Sequence, residues 1–415
     1  MIDVLKLLTE KKVGVSITNR GDCQLLSDVI LEVTDESLNY NTIRRLFGLA
    51  PFVKPSINTL DILAKFNGFN NYRHFVKANS NELLWLDKEK VYRLIYDSNK
   101  ETIVKYVNDL HRNNDIFLDL VISIIRELIH MKRLDVVNEI FNLPRFKSLN
   151  FEYSELLFLG NSIGLLFNQN RVTDRTILLN SNFINCVYLI YVDYTTLNGF
   201  YGDYTNLVLT NIKKSEINLF AACVLQLKNY LNFLPVKSNF NNKSMPVHLH
   251  PILAGRILSI KLLALKNDDF EKVINDFMEV YLPNKKIDIQ FLYELTFISI
   301  LSKNFKLMNW IIVNFSKKNQ HIPHYYKHHY ELFHFMCMFY YKWKKDFKTL
   351  KYYEDLFQYD DLKYSYRSIL DIFNIVFKYD SSEKKELLFE VYKQLTKKLS
   401  YPLFNKDYIT NYFKF

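Results

Sequence analysis

One short pattern recurs along the chain where a helix is expected to start. It consists of a polar turn, an apolar residue, and further apolar residues three and six or seven positions later. This spacing places the apolar side chains on one face of a helix. The copies begin at Leu134, Phe270, Phe305 and Phe347, and a long apolar segment precedes each of them. The pattern predicts pairs of helices packed through their apolar faces.

The intervals between copies are typical of proteins built from helical hairpins. Phe270 and Phe305 are 35 residues apart, and Phe305 and Phe347 are 42 apart. Hairpin repeats of this kind span roughly 34 to 47 residues, and neighbours stack because one hairpin cannot bury its apolar face alone. We interpret this as an all-α chain containing a TPR-like α-solenoid. An irregular helical bundle is the alternative, since the longer interval requires a longer loop.

Turn-forming residues are scarce, which excludes several other fold classes. The chain has 9 glycines and 9 prolines among 415 residues, against average usages of about 7% and 5%. This composition disfavours a multi-stranded β-protein and a glycine-rich phosphate-binding loop. The cysteines form no C-x-x-C pair, so we expect buried free thiols in a reducing compartment. They are Cys23, Cys186, Cys223 and Cys337.

The amino terminus and the lengths of the apolar stretches indicate where the protein is located. The first residues lack the apolar core and cleavage site of a signal peptide, and no apolar stretch reaches the ~20 residues that cross a bilayer. We therefore expect a cytoplasmic protein with no membrane partner. The net charge of +10 fits a nucleic acid or another acidic partner, although lysine-rich codon usage alone gives the same charge.

Residues 1–78 differ from the rest because turn signals separate short helices. Predicted helices cover residues 3–12, 23–33 and 40–47, a fourth starts at Pro55-Ser56, and a final turn covers residues 72–77. Pro at the first turn of a helix supports the fourth start. We expect a first helical-repeat block at 79–233 and a second at 252–415. Residues 234–251 are expected to form a long loop, and residues 197–206, rich in Gly, Asn and Tyr, to form another.

The order of elements at residues 23–70 resembles the Cro/repressor-type helix-turn-helix family. In the predicted helix at 40–47, Ile43, Leu46 and Phe47 lie on one side and would anchor it. The polar side chains left outside are of the types that hold phosphates and base edges. The resemblance implies DNA contacts by this helix and by the start of the next one. The implied contact residues are Asn39, Asn41, Thr42, Arg44, Arg45, Lys54 and Asn58.

This segment departs from the family pattern in two ways. It is about three residues longer before Ile43 than the compact family pattern, and residues 34–37 replace the usual turn glycine. Four acidic residues also precede the helix: Asp28, Glu32, Asp35 and Glu36. A small helical domain that contacts protein instead of DNA therefore stays as an alternative.

Other motifs carry weaker signals. The histidines between His321 and His334 lack the acidic and cysteine partners of a zinc site, so we expect exposed histidines at a loop and helix start. The lysines between Lys303 and Lys351 are interleaved with aromatic residues, which fits either single-stranded nucleic acid or a solvated face of the repeats. No nucleotide-binding or nucleophile motif is found, so we expect no catalytic residue, metal site or cofactor.

A helix-turn-helix domain joined to helical repeats resembles the layout of peptide-sensing bacterial regulators. The resemblance implies a DNA-binding transcriptional regulator whose repeats bind a peptide or protein. Its partners would be double-stranded DNA, that ligand, and a second copy of the chain, because one recognition helix reads only a half-site. The alternative is a non-enzymatic protein-interaction scaffold, for instance a component of a defence system.

Overall fold

The computed structural model describes residues 2–51, 53–110, 117–237, 249–265, 270–281, 287–315, 326–363 and 366–414, except the side chains of residues 77, 79–88 and 281. None of the described residues forms a strand, which confirms the all-α prediction for this part of the chain. The chain divides into two compact units. The first comprises Met1–Ile103 and Leu110–Ile124, and the second comprises Val104–Asp109 and Ile125–Phe415.

The described residues form 22 α-helices. In chain order they are α1 (Ile2–Val13), α2 (Arg20–Thr34), α3 (Tyr40–Leu46), α4 (Ile57–Phe66), α5 (Tyr72–Asp97), α6 (Lys100–Asp109), α7 (Phe117–His130), α8 (Leu134–Asn142), α9 (Tyr153–Asn170), α10 (Arg175–Leu178), α11 (Ser181–Phe183), α12 (Phe200–Asn211), α13 (Ser215–Leu231), α14 (Pro251–Leu263), α15 (Phe270–Tyr281), α16 (Ile289–Leu301), α17 (Phe305–Asn314), α18 (Lys327–Lys344), α19 (Phe347–Leu356), α20 (Arg367–Tyr379), α21 (Lys385–Leu399) and α22 (Lys406–Thr410). A π-helical turn, Ile184–Tyr188, follows α11.

The helix starts predicted from the recurring pattern are confirmed, since α8, α15, α17 and α19 begin at the first apolar residue of each copy. The polar turns explain why. Lys303 and Lys345 adopt left-handed backbone angles, with φ of 56° and 61°, which ends the preceding helix. Asn304 and Asp346 then cap the next helix by accepting hydrogen bonds from backbone N–H groups.

In the second unit these helices pack against one another in pairs. Helix α14 packs beside α16, and α16 packs beside α18, while α15, α17 and α19 each pack against the helix that precedes them. Helix α20 packs against α21. The apolar stripes of α16 and α18 are buried along almost their whole length. Burial of these stripes is the main force that holds the row of helices together.

In the first unit, α1 to α5 enclose one core. Cys23, Leu26 and Ile30 of α2 face Ile43 of α3 and the apolar residues of α4. The amide of Asn67 donates to the Thr9 hydroxyl at 2.8 Å, which ties the end of α4 to α1. The first four helices therefore match their predicted positions closely.

The final turn predicted at residues 72–77 is helical but too short, because these residues open the 26-residue helix α5. Asn71 caps this helix by accepting from the His74 N–H at 2.8 Å, and no Gly or Pro interrupts the sequence until after Asp97. The boundary expected at residue 78 falls inside α5, and the first compact unit continues to Ile103.

The loop expected at residues 197–206 is also wrong. Helix α12 starts at Phe200, and Gly202 lies in its first turn. A Cβ atom at Gly202 would lie only 1.8 Å from the Leu197 carbonyl oxygen, so glycine permits a close approach here. The tyrosines of this stretch, Tyr201 and Tyr204, are buried. Of the loop expected at 234–251, residues 238–248 lie outside the described residues, and α14 begins at Pro251.

None of the four cysteines forms a disulfide bond, and all four are buried, as predicted. Burial raises the pKa of the Cys186 and Cys223 thiols to about 12, so both are protonated at neutral pH. Among the helices of the described residues, none combines the length and the apolar character needed to cross a bilayer.

Candidate nucleic-acid interface and a polar groove

Helix α3 is held firmly on the first unit. Ile43 and Leu46 are buried against the core. The Ser27 hydroxyl of α2 donates to the Leu38 carbonyl at 2.6 Å, which fixes the turn between the two helices. The left-handed conformation of Asp35, with φ of 57°, ends α2 without the glycine that the family pattern has there.

The predicted DNA-contacting residues lie at the surface of this unit. Five of them are exposed, namely Asn39, Asn41, Arg45, Lys54 and Asn58, and Thr42 and Arg44 are half-buried. The structure brings two of them together, since Arg44 Nη1 donates to Asn41 Oδ1 at 3.3 Å. Asn39 caps α3, because its Oδ1 accepts from the Asn41 N–H at 2.8 Å. The amide nitrogen of Asn39 stays available to donate to a ligand.

One further cation beside α3 was missed in the sequence. Arg20, the first residue of α2, donates from Nη2 to the Tyr40 hydroxyl at 3.2 Å, and its guanidinium lies 5.1 Å from the centre of the Tyr40 ring. Nothing in the local sequence relates Arg20 to a residue of the next helix. Among the acidic residues before α3, Glu36 is paired with Lys65 of α4, so part of the negative charge noted there is neutralised.

A polar groove with a volume of about 1190 Å³ lies within the second unit. Its walls come from α9, α10, α12, α20, α21 and the segment of residues 193–199. Amide and guanidinium side chains are prominent in the lining: Asn168, Gln169, Arg171, Arg175, Asn198 and Arg367. The groove could not be predicted from the sequence, because its lining residues, from Leu165 to Ser400, come from segments more than 200 positions apart.

Asp193 forms a rigid part of the groove wall. Its Oδ1 accepts from the backbone N–H and the hydroxyl of Thr195, at 2.8 and 2.5 Å. Its Oδ2 accepts from the Asn168 amide at 2.6 Å and the Thr196 hydroxyl at 3.0 Å. Burial raises the pKa of Asp193, although these hydrogen bonds oppose the shift. The carboxyl group is thus fully occupied in positioning the groove wall.

No model of a known protein family matches this chain, and neither curated proteins nor solved structures yield a match. Two surfaces carry the chemistry that bears on function: the α3 region of the first unit and the groove of the second unit.

A buried ionic network lies directly behind the groove wall. Arg256 of α14 and Glu294 of α16 form an ion pair, with Nη2 and Oε1 2.5 Å apart. The Tyr194 hydroxyl donates to Glu294 Oε2 at 2.7 Å and accepts from Arg256 Nε at 2.9 Å. Burial opposes the charge of Arg256, but the Glu294 carboxylate keeps the pKa of the guanidinium above its usual value. Since Tyr194 follows Asp193, one turn connects the groove wall to the packing of α14 on α16.

We predict that Tyr401→Phe loosens this turn. The Tyr401 hydroxyl donates to the Tyr194 carbonyl at 2.7 Å and accepts from the Leu197 N–H at 2.8 Å, and all three residues are buried. Loss of the hydroxyl removes a hydrogen-bond partner from two buried backbone groups, which lowers the free energy of unfolding by about 1–3 kcal/mol. Urea denaturation checks this, with Tyr379→Phe, a half-buried ring, as the control. Equal stability of the two variants would contradict the role given to Tyr401.

The expectation of exposed histidines between His321 and His334 is wrong for the described ones, since His328 is half-buried and His329 and His334 are buried. His329 and His334 are only 2% and 7% exposed, because α18 starts at Lys327 and turns this face toward the core. Burial, aided by Lys363, lowers the pKa of His328 to about 3 and that of His329 well below its usual value. His321 and His324 lie outside the described residues. Within the described ranges, no group of three His, Cys, Asp or Glu side chains is placed to hold a metal ion.

Proposed function

We propose that this chain is a DNA-binding transcriptional regulator whose helical second unit senses a peptide. The observation that carries the proposal is the division of α3 into two faces. Ile43 and Leu46 are buried, whereas Asn41 and Arg45 are exposed and Arg44 is half-buried. A short helix fixed by its apolar side and presenting Asn and Arg side chains suits the major groove and its phosphates.

The residues flanking α3 support the same assignment. Lys54 lies in an extended segment before α4 and is exposed, as is Asn58 in the first turn of that helix. Ser56 caps α4 by accepting from the Thr59 N–H at 3.2 Å, so the start of the helix has a defined position. Backbone contacts of this kind fix the register of a recognition helix on DNA. We propose a homodimer, because one such helix reads a half-site.

The groove supports the peptide part of the proposal. Its volume of about 1190 Å³ exceeds the roughly 300–1,000 Å³ of small-molecule pockets. Side-chain amides and guanidinium groups line it, and these groups can donate to the carbonyl oxygens of an extended peptide. The row of helical hairpins in this unit, which we interpret as a TPR-like α-solenoid, would provide the extended binding surface typical of such arrays.

We predict that Arg44→Ala combined with Arg45→Ala weakens DNA binding about tenfold at low salt, because two phosphate-reaching cations are lost. The measurement is fluorescence anisotropy of a labelled random-sequence duplex titrated with the full chain. Lys11→Ala combined with Arg73→Ala is the matched control, since both side chains are exposed cations of the first unit outside α2–α4. The regulator proposal is wrong if the unaltered protein fails to bind, or if both double variants bind equally.

A protein-interaction scaffold is the second candidate, and one observation favours it. Val53 and Ile57 are 56% and 65% exposed, and each directly precedes a polar residue, Lys54 or Asn58. Exposed apolar side chains are more typical of a protein contact than of a phosphate contact. The same titration with the random duplex separates the two candidates. A protein-interaction scaffold is not expected to bind the duplex through Arg44 and Arg45.

A further inference from the structure

Charged side chains face the groove of the second unit unequally. Four cationic residues line it, Arg171, Arg175, Arg367 and Lys398, and the carboxylates in the lining are Asp193, Asp203 and Asp371. The formal charges nearly balance, so the question is which of them a ligand can reach.

Most of the negative charge is already used within the protein. Asp193 accepts hydrogen bonds from four neighbouring side chains and one backbone N–H. Asp371 accepts from the Tyr359 hydroxyl. Among the cations, Arg367 also has partners within the protein. Its Nη1 donates to the Tyr359 carbonyl at 3.2 Å, and its guanidinium lies 4.6 Å from the centre of the Tyr359 ring. Tyr359 thus holds Asp371 and Arg367 together.

The charges that remain accessible are mainly positive. Arg171, Arg175 and Lys398 are exposed, and Asp203 is the exposed carboxylate of the lining. Arg175 makes only a long contact in the described structure, from Nη2 to Asn211 Oδ1 at 3.4 Å. Helix α21, which contributes Lys398, contains four lysines and two glutamates. The charged groups that a ligand can contact in the groove therefore favour an anionic ligand.

An apolar strip continues from the groove along the same helix. Leu395 and Leu399 line the groove. Val391 lies one turn before Leu395 and Leu387 two turns before it, and they are 39% and 62% exposed. Residues spaced by four lie on one side of a helix. A ligand that fills the groove and follows α21 meets cations first and aliphatic side chains next.

We propose that the groove selects short peptides that combine acidic and apolar side chains, with the carboxylates held by Arg171, Arg175 and Lys398. This inference depends on the proposed peptide-sensing function and specifies its ligand class. Arginine holds carboxylates through paired N–H donors, so both arginines contribute direction as well as charge.

The test measures retention of labelled hexapeptide pools on the immobilised full chain. The pools share Leu, Val, Ser and Ala at random positions and differ at two fixed positions, which are Asp/Glu, Asn/Gln or Lys. Two partly solvated ion pairs are together worth about tenfold in affinity, so the acidic pool should be retained about tenfold more tightly than the amide pool. This preference should shrink as salt is raised.

Arg171→Gln combined with Arg175→Gln should remove the preference, whereas Lys348→Gln combined with Lys378→Gln, two exposed cations outside the groove, should retain it. Equal binding of the acidic and amide pools would overturn this inference and leave peptide sensing intact. Failure of every pool to bind would overturn both. Displacement of the acidic pool by an oligothymidine strand would also overturn the inference, because it would identify the groove as a nucleic-acid site.

Discussion

Glu294→Leu is expected to destabilise the protein by about 3–5 kcal/mol, because it leaves a charged guanidinium buried without its partner. Arg256 is 4% exposed and Glu294 is 1% exposed, so water does not replace the lost carboxylate. The Tyr194 hydroxyl also loses its acceptor. Urea denaturation followed by circular dichroism measures the change in the free energy of unfolding.

The double variant Arg256→Met with Glu294→Leu separates the effect of an unpaired buried charge on stability from the effect of altered packing. Replacing a whole buried ion pair with apolar residues of similar volume is often neutral or stabilising. We therefore expect the double variant to recover most of the stability that Glu294→Leu loses. A double variant as unstable as the sum of the two single variants would contradict this view of the network.

Gly255→Ala is expected to destabilise the same helix pair by about 3 kcal/mol, at the upper end of the range for overpacked cores. A Cβ atom at Gly255 would lie 2.1 Å from the Phe291 carbonyl oxygen of α16. Helix α14 must move away to accept it, which also lengthens the adjacent contact between Arg256 and Glu294. The midpoint of thermal unfolding should fall accordingly.

Intrinsic helix propensity predicts the opposite result, because alanine exceeds glycine by about 1 kcal/mol inside a helix. Gly21→Ala provides the control, since Gly21 is exposed in the first turn of α2 and a Cβ there meets only the Asn19 side chain, at 3.1 Å. We expect a much smaller change for that variant. Stabilisation by Gly255→Ala would show that α14 and α16 are not closely packed at this point.

The parts of the fold that the sequence predicted are those determined by local chemistry. The start of α17 follows from Asn304, whose side chain caps the helix, and from the apolar spacing after Phe305. The start of α4 follows from the Ser56 cap in the same way. Caps and helical periodicity act within a few residues, so they can be read without knowing the fold.

What the sequence could not predict depends on contacts between distant segments. Arg256 and Glu294 each interrupt an apolar helix, which indicates a special position, but their pairing across 38 residues needs the packing of α14 on α16. The glycine and tyrosines of α12 predict a loop by composition, because composition alone does not reveal that Leu197 packs onto Gly202. The groove has the same origin, since residues from α9 to α21 meet there.

The most direct test of the central claim is the salt dependence of binding to double-stranded DNA. Each phosphate contact contributes about 0.9 to the slope of log affinity against log salt concentration. For the unaltered protein we predict a steep negative slope, and for Arg44→Ala with Arg45→Ala a slope shallower by about 1.8, while Lys11→Ala with Arg73→Ala keeps the original slope. Identical slopes for all three proteins would contradict the assignment of α3 as the DNA-contacting helix.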